Sequence, residues 1–276
     1  MPKLLGNHNR SWIWGRHLVS ATIHAKYWIP LELHYDSHRF SPHDPLGNSI
    51  VGDLPPGDVP LGDSLETDLT SLKNLCEAAG IHLVASTADQ IARLIRAEDH
   101  QGLAARMPEF PYADFDHLLL AHLPSLLVIL DGIQDSFNLG AIIRCAEALG
   151  AGGIVLPEKG QSGVNSQAAR SSAGAVNFLP IYRVPALDRA IDQLKSRGMK
   201  ILAATEKSEQ SLWNVAIPAP LCLIIGNEGK GVSPSLLSAC DIQVRIPMAG
   251  KTSSLNAAVA AGILLAEIQR QSAKIQ

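Results

Sequence analysis

The stretch "PLCLIIGNEGKGVSPSLLSACDIQVRIPM", residues 220–248, decides the fold class. An apolar run rich in Ile and Leu leads into a loop with three glycines, then a short helical pattern, "SPSLLSAC", and a second apolar run, "IQVRIPM". Short, continuous apolar runs are typical of strands that are covered on both faces of a sheet. A strand, a crossover helix and another strand in this order predict a parallel β-α-β unit.

The same alternation extends through the C-terminal half of the chain. Further apolar runs predict strands at residues 126–131, 152–157, 177–184 and 200–206, and helical patterns lie between them. A last helical pattern, "SLNAAVAAGILLAEIQR", follows the final strand. Strands that alternate regularly with helices predict a parallel, doubly wound α/β sheet.

The N-terminal part of the chain predicts a smaller domain with its own core. Helical patterns such as "GRHLVSATIH" alternate with short strands such as "IHLVAS" across residues 1–107, which we interpret as a small α/β domain. Residues 41–64, rich in Pro, Gly and Asp, are predicted to be a loop insertion. We expect a linker at 108–124 and a second domain at 125–276.

The composition excludes membrane proteins. The chain has 276 residues, of which 46% are hydrophobic and 18% charged, as in soluble globular proteins. The apolar stretch 257–268 contains Glu267 and is too short to span a bilayer, and the first residues lack the apolar segment of a signal peptide. We therefore expect a cytoplasmic protein without a membrane partner.

Metal binding is also not expected. The four cysteines show no C-x-x-C spacing and are interpreted as reduced thiols. His34, His38 and His43 fit no standard metal cluster, so we interpret them as residues of a solvated loop. The net charge of −3 predicts no overall attraction to nucleic acid, so any RNA binding requires a local basic patch.

Polar clusters fall at three predicted strand ends, where open α/β sheets bind ligands. Asn138 follows the strand at 126–131, Glu228 lies in the glycine-rich loop, and "TSSLN" (252–256) opens the last helix. Each cluster has a structural alternative: Asn138 as a helix N-cap, the glycines as a tight turn, and Thr252 or Ser253 as the cap of the last helix. In that last case Ser254 and Asn256 are left to face a site.

The glycine-rich loop is not a known phosphate-binding motif. It lacks the Lys-Ser/Thr pair of a Walker A loop, and the chain has no G-x-G-x-x-G between a first strand and a helix. Three such clusters at strand ends are much less expected by chance than any single one, so we interpret them as one composite site.

The three stretches resemble the three motifs of the SpoU-type (SPOUT class) RNA ribose 2′-O-methyltransferases. They are "NLGAIIRCAEALGA" (138–151), "LIIGNEGKGVSP" (223–234) and "IPMAGKTSSLNAAVAAGI" (246–263), in the family's order. Upstream, "IWGRHLVSA" and "HQGLAARM" resemble the substrate domain of the large-subunit rRNA guanosine 2′-O-methyltransferases. Cys145 departs from the usual Ser or Thr, and the 41–64 loop matches nothing in the family.

The resemblance implies a fold, a cofactor and partners. The fold is an α/β sheet with a deep trefoil knot, preceded by an L30e-like substrate domain. The cofactor is S-adenosylmethionine, and the enzyme works as a homodimer on RNA. The implied target is a ribose 2′-OH, with a guanosine of 23S rRNA expected and transfer RNA as the alternative.

The resemblance also implies two sets of site residues. The catalytic set is Asn138, Arg144, Glu228, Ser254 and Asn256. The cofactor-binding set is Gly226, Asn227, Gly229, Gly231, Ile246, Met248 and Leu255. The very high pKa of arginine keeps its guanidinium protonated, so the side chain does not readily accept a proton as a base. We therefore interpret Arg144 as binding the target phosphate and the attacking oxygen, with a transient base role left open.

Four alternatives remain at this level. Arg144 is also explained as the exposed face of its helix. The chain is also compatible with an RNA-binding protein that lost catalysis, or with a nucleotide-phosphate enzyme that uses "GNEGKG". The tryptophans Trp12, Trp14 and Trp28, with Arg10 and Arg16, suit either base stacking or core packing.

Overall fold

The computed structural model of the protein describes residues 3–5, 11–40, 69–252 and 254–272. The predicted loop at 41–64, with His43, lies outside these ranges, as do Arg10 and Ser253. The chain divides into two compact units, Met1–Pro111 and Tyr112–Gln276.

The first unit is a four-stranded sheet with helices. Its elements in chain order are β1 (Trp12–Trp14), α1 (Arg16–Ala25), β2 (Glu32–Asp36), α2 (Leu69–Ala79), β3 (His82–Ser86), α3 (Ala88–Ile95) and β4 (Leu103–Arg106). The strand order is β1-β4-β2-β3, with β2 and β3 parallel and the other pairs antiparallel. Strand β1 was not predicted, because three residues are too few to show a period and pairing with β4 defines it.

Buried tryptophans form part of the core of this unit. Trp12 and Trp28 are 2% and 1% exposed, and Trp14 donates its indole N–H to Asp99 at 2.8 Å. Core packing, rather than base stacking, is therefore confirmed for Trp12 and Trp28. His34 lies in β2, where its ring nitrogens are 2.9 Å from Ser86 Oγ and 3.3 Å from Glu32 Oε1. The solvated-loop interpretation of His34 is wrong, since sheet pairing holds the histidine against these partners.

The second unit is built on a six-stranded sheet. Its elements are α4 (Phe115–Leu120), β5 (Leu126–Asp131), α5 (Ser136–Ala148), β6 (Ile154–Pro157), α6 (Ser166–Ser171), β7 (Ile181–Val184), α7 (Leu187–Ser196), β8 (Lys200–Ala204), β9 (Leu221–Gly226), α8 (Pro234–Ala239), β10 (Ile242–Val244) and α9 (Ala257–Ser272). The order is β10-β8-β9-β5-β6-β7 and every neighbouring pair is parallel. The predicted parallel α/β sheet is confirmed.

A helix begins this unit where a linker was expected. Helix α4 is capped by Asp114, whose carboxylate accepts from the backbone N–H groups of Asp116 and His117. Phe115 packs edge-on against Tyr182 of β7, and the N–H of Ala113 donates to the carbonyl of Ile181 at 2.8 Å. Six residues give too little periodicity to be predicted, but their packing makes the stretch from residue 112 part of the second unit.

The sheet places two strand ends side by side at a change of direction. Strands β5 and β9 are neighbours in register, and Asp131 pairs with Gly226 at their carboxyl ends. The chain leaves β5 toward α5, which packs on α9, and leaves β9 toward α8, which packs with α7 on the opposite face. The two connections diverge, so a crevice opens between them, as at the ligand sites of other open α/β sheets.

Candidate active site

The glycine-rich loop after β9 is a closed turn. The backbone N–H of Asn227 donates to the carbonyl of Gly231 at 3.0 Å, and that of Gly231 donates back to Asn227 at 2.9 Å. The side-chain oxygen of Asn227 accepts from the N–H groups of Gly229 and Lys230. Gly231 has a φ of 69°, and a Cβ on Gly226 would lie 2.2 Å from the amide nitrogen of Val232. Glycine is needed at both positions, for a left-handed backbone and for close approach.

A cleft of about 430 Å³ opens beside this loop. It lies among the ends of β8, β9 and β10 and the first turns of α9, and it falls in the size range of small-molecule sites. The cofactor-binding residues expected from the sequence all line it, namely Gly226, Asn227, Gly229, Gly231, Ile246, Met248 and Leu255. Glu228 and Ser254, expected to be catalytic, line it as well.

Sequence reasoning missed the part of the cleft that follows β8. Thr205, Glu206 and Lys207 line it, together with Lys230 of the glycine-rich loop. The signal was present, because "ATEK" (204–207) places three polar residues directly after a buried strand at the same sheet edge. Apolar residues complete the wall, namely Ala204, Ile224, Ile225, Val232, Leu237, Ala257, Ala260 and Leu264.

Three of the predicted catalytic side chains form a hydrogen-bonded chain at this edge of the sheet. Asn256 donates its side-chain N–H to Asn138 Oδ1 at 2.9 Å, and Asn138 donates to Glu228 Oε1 at 3.0 Å. The carboxylate of Glu228 also lies 3.4–3.5 Å from the backbone nitrogens of Asp135 and Gln134. This Asn256–Asn138–Glu228 chain connects the starts of α5 and α9 to the loop after β9.

The same contacts set the charge of Glu228. Burial by itself raises the pKa of this carboxyl, but the hydrogen bonds from Asn138 and from backbone N–H groups outweigh burial and lower the pKa below its ordinary value. Glu228 is therefore an anion at neutral pH. It accepts hydrogen bonds and fixes the amide orientation of Asn138.

Two predicted helix caps are wrong. Helix α5 is capped by Asp135, which accepts from the N–H of Phe137, so Asn138 lies inside the first turn with its side chain free for Glu228 and Asn256. Helix α9 begins at Ala257, and Asn256 Oδ1 accepts from the N–H groups of Ala258 and Val259. The cap is thus Asn256 rather than Thr252 or Ser253, because the apolar pattern starts only at residue 257. Asn256 caps α9 with its oxygen and holds Asn138 with its nitrogen.

Arg144 stands apart from this chain. It is exposed on α5 and is not among the residues that line the cleft. The structure gives it no hydrogen bond or ion pair with Glu228 or Ser254, so Glu228 does not orient Arg144 here. Its neighbour Cys145 faces α9, with Sγ 3.7 Å from the position of a Cβ on Gly262. The guanidinium of Arg144 is left accessible to a ligand from solvent.

Two further features bear on the class of site. Within the described part of the chain, no group of three or more His, Cys, Asp or Glu side chains is arranged to hold a metal ion. Among the helices of these residues, none combines the length and the apolar character that a membrane crossing requires.

The fold and the cleft define an α/β protein with a small-molecule site at the carboxyl edge of a parallel sheet. Comparison with known proteins makes the class specific. The profile of the SpoU rRNA Methylase family matches residues 125–266. An uncharacterized tRNA/rRNA methyltransferase of Mycobacterium ulcerans (strain Agy99) is 38% identical over 216 residues, which cover 77% of this chain and 70% of the relative.

Solved structures agree with this class. The SpoU methyltransferase AviRb from Streptomyces viridochromogenes, in complex with AdoMet, superposes with a TM-score of 0.73 at 26% identity, over 98% of this chain and 95% of AviRb. The A. aeolicus TrmH/SpoU tRNA modifying enzyme superposes with a TM-score of 0.50 at 29% identity, over 58% of this chain and 81% of that enzyme. The chain belongs to the SpoU rRNA methylase family. Family membership implies the trefoil knot expected from the motifs.

Proposed function

We propose that this protein transfers a methyl group from S-adenosylmethionine to a ribose 2′-OH of structured RNA. The substrate we propose is a guanosine of 23S rRNA. The observation that carries the proposal is the Asn256–Asn138–Glu228 chain beside a cleft of cofactor size in a chain of the SpoU family.

The cleft suits S-adenosylmethionine. Its volume is within the range of cofactor sites, and the loop of Gly226, Gly229 and Gly231 offers backbone without side chains to a closely bound ligand. The carboxylates of Glu206 and Glu228 line the cleft, where they offset the charges of Lys207, Lys230 and a sulfonium cation. When bound, the cofactor supplies an electrophilic methyl group on that sulfonium.

The reaction requires alignment and the loss of one proton. The ribose O2′ attacks the methyl carbon in line, the carbon–sulfur bond breaks with its electron pair left on sulfur, and the hydroxyl proton passes to a base or to solvent. The fixed amide of Asn138, with Ser254 and Asn256, orients the ribose at the cleft. These groups need no rearrangement, because Glu228 and the start of α9 already hold Asn138 and Asn256.

Arg144 acts on the substrate. Its exposed guanidinium binds the phosphate of the target nucleotide and the attacking oxygen, which lowers the pKa of the hydroxyl. A transient base role for the same side chain is the alternative. Both roles agree with a position outside the cofactor cleft.

The protein works as a homodimer, and its first unit binds the RNA substrate. A dimer is favoured because RNA binding by a chain of net charge −3 requires a local basic patch, which two subunits can share. The apolar residue Val259 of α9 is 51% exposed and suits a subunit contact. Sedimentation of a monomer at micromolar concentration with full activity would exclude the dimer.

Mapping of 2′-O-methyl groups in ribosomal and transfer RNA, with and without the protein, tests the function. We expect one methylated guanosine of 23S rRNA to disappear when the protein is absent. Loss of a site in transfer RNA instead would assign the alternative substrate, and an unchanged map would reject 2′-O-methylation. Calorimetry separates the other classes, since a nucleotide-phosphate enzyme prefers ATP to S-adenosylmethionine and a non-catalytic RNA binder needs neither.

A further inference from the structure

Three segments of the first unit meet around the ring of Phe40. They are the start of α1 at Arg16, the end of β2 at Asp36 with the following turn that carries Arg39, and the turn before β4 at Gly102. The guanidinium carbon of Arg16 lies 5.2 Å from the centroid of the Phe40 ring. A Cβ on Gly102 would lie 3.1 Å from Arg39 Cδ and 3.5 Å from the same ring. The guanidinium of Arg16 and the stem of Arg39 therefore lie near one aromatic ring.

The backbone contacts of Arg16 leave part of its guanidinium available. The backbone N–H of Arg16 donates to Gln101 Oε1 at 2.8 Å, and its Nε donates to the carbonyl of Gln101 at 3.3 Å. These bonds fix the direction of the side chain. The two terminal nitrogens of Arg16 form no hydrogen bond with the residues that the structure describes, so they remain donors for a ligand.

The charges in this cluster are unbalanced. The carboxylate of Asp36 lies 3.9 Å from Arg39 Nε, a long ion pair, and the Arg39 side chain is 58% exposed. Within the described part of the chain, Asp36 is the one carboxylate paired with either Arg16 or Arg39, so this part of the cluster has more positive than negative charge. Burial, followed by the charge of Arg39, lowers the pKa of the Arg16 guanidinium from its ordinary value, so the like charge of Arg39 disfavours the charged form of Arg16. An anion between them relieves that repulsion.

We propose that Arg16 and Arg39 form a clamp for a phosphate of the RNA substrate. Guanidinium pairs bind phosphate oxygens through several charge-assisted hydrogen bonds, which suits a polyanionic backbone. In a chain with a net charge of −3, a local excess of positive charge is what RNA binding needs. The inference rests on the proposed function, since it assigns the RNA contact of the first unit.

The test compares RNA binding by the full-length protein and by single substitutions. Arg39→Gln is the main variant because its exposed side chain contributes little to folding; Arg16→Gln is the second, and Arg93→Gln on the exposed face of α3 is the matched control. The probe is 23S rRNA transcribed in vitro. Binding is measured between about 50 and 300 mM salt, because the contribution of phosphate contacts to affinity falls over this range.

We expect each clamp variant to bind the transcript about fivefold more weakly, with a slope of log affinity against log salt that is shallower by about 0.7 to 1. Arg39→Lys should keep the slope, because it keeps the charge. Arg93→Gln should match the wild type, and the affinity for S-adenosylmethionine should be unchanged in all four variants.

Wild-type RNA affinity and salt slope in Arg39→Gln and Arg16→Gln would overturn the clamp, as would an equal loss in Arg93→Gln. These outcomes are independent of catalysis. If the wild type binds the transcript but methylates no ribose, the proposed function fails, while a reduced slope in the clamp variants still supports the phosphate contact.

Discussion

Gly226→Ala tests whether the closed loop builds the cofactor cleft. The added Cβ would lie 2.2 Å from the carbonyl carbon of Gly231 and from the amide nitrogen of Val232, and 2.6 Å from the Gly231 oxygen. All three atoms are backbone, so no side chain can turn away. The loop must move by about 1 Å, a shift that well-packed interiors resist.

The cost follows from what this movement breaks. Overpacking costs about 1–3 kcal/mol, and each of the two backbone hydrogen bonds between Asn227 and Gly231 contributes about 1 kcal/mol. If the variant needs about 2–4 kcal/mol of the cofactor's binding free energy to restore the loop conformation, affinity for S-adenosylmethionine falls about 30- to 700-fold. The same strain lowers the unfolding temperature by about 4–16 °C for a unit of this size.

The two other glycines of the loop are matched controls. A Cβ on Gly231 meets no atom within 4 Å, but its φ of 69° strains an alanine by about 1–2 kcal/mol. A Cβ on Gly229 meets its nearest atom at 3.7 Å, an ordinary contact, so Gly229→Ala should bind within about threefold of the wild type. Calorimetry and thermal unfolding should show the largest loss of cofactor affinity and stability for Gly226→Ala, a smaller loss for Gly231→Ala and the smallest for Gly229→Ala. A Gly226→Ala protein with wild-type affinity and stability would refute the reasoning.

Four further predictions follow. Arg144→Ala should retain cofactor affinity, because Arg144 does not line the cleft, and should slow single-turnover methyl transfer by about two to four orders of magnitude. A partial recovery of the rate at high pH indicates that Arg144 lowers the pKa of the ribose hydroxyl. A deficit that stays constant with pH indicates that Arg144 is the proton acceptor or the main substrate contact. Glu228→Gln should destabilise the protein above pH 4.5, the ordinary pKa, with the difference from the wild type lost as pH falls through the lowered folded pKa. Gly140→Ala should lower the unfolding temperature, because its Cβ would lie 1.8 Å from Ser171 Oγ and 2.3 Å from a backbone oxygen. A fragment of residues 112–276 should fold and bind the cofactor but methylate RNA poorly, and turnover equal to that of the full chain would contradict the division of labour.

The start of that fragment illustrates what the sequence could not predict. With residues 108–124 interpreted as a linker, the sequence predicts that a fragment from about Leu120 onward folds alone. The structure shows Phe115 and Leu118 buried in the core of the second unit, so a cut at Leu120 would expose apolar surface. A single turn and a half of helix has no measurable period, and its burial depends on Tyr182, far along the chain.

The strands of the second unit were predictable for a clear reason. Strand β5 matched its apolar run, residues 126–131, because strands covered on both faces must be apolar throughout. The cleft-lining glycines were predictable because they follow directly after the apolar run of β9, at the sheet edge where ligands bind. The bond between Asn256 and Asn138 joins residues 118 apart, and such contacts are set by how the helices pack rather than by local pattern. The same holds for Arg16 and Arg39, which the fold places near the same Phe40 ring.

The most direct test of the proposed function is the chemical identity of the methylated product. Purified protein is incubated with 23S rRNA transcript and S-adenosylmethionine that carries a labelled methyl group, and the RNA is digested to nucleosides for mass spectrometry. We predict that the label appears on the ribose of a 2′-O-methylguanosine, and that Asn138→Ala greatly reduces it without loss of cofactor binding. Label on a nucleobase, or cofactor binding without any transfer to ribosomal or transfer RNA, would contradict the proposed function.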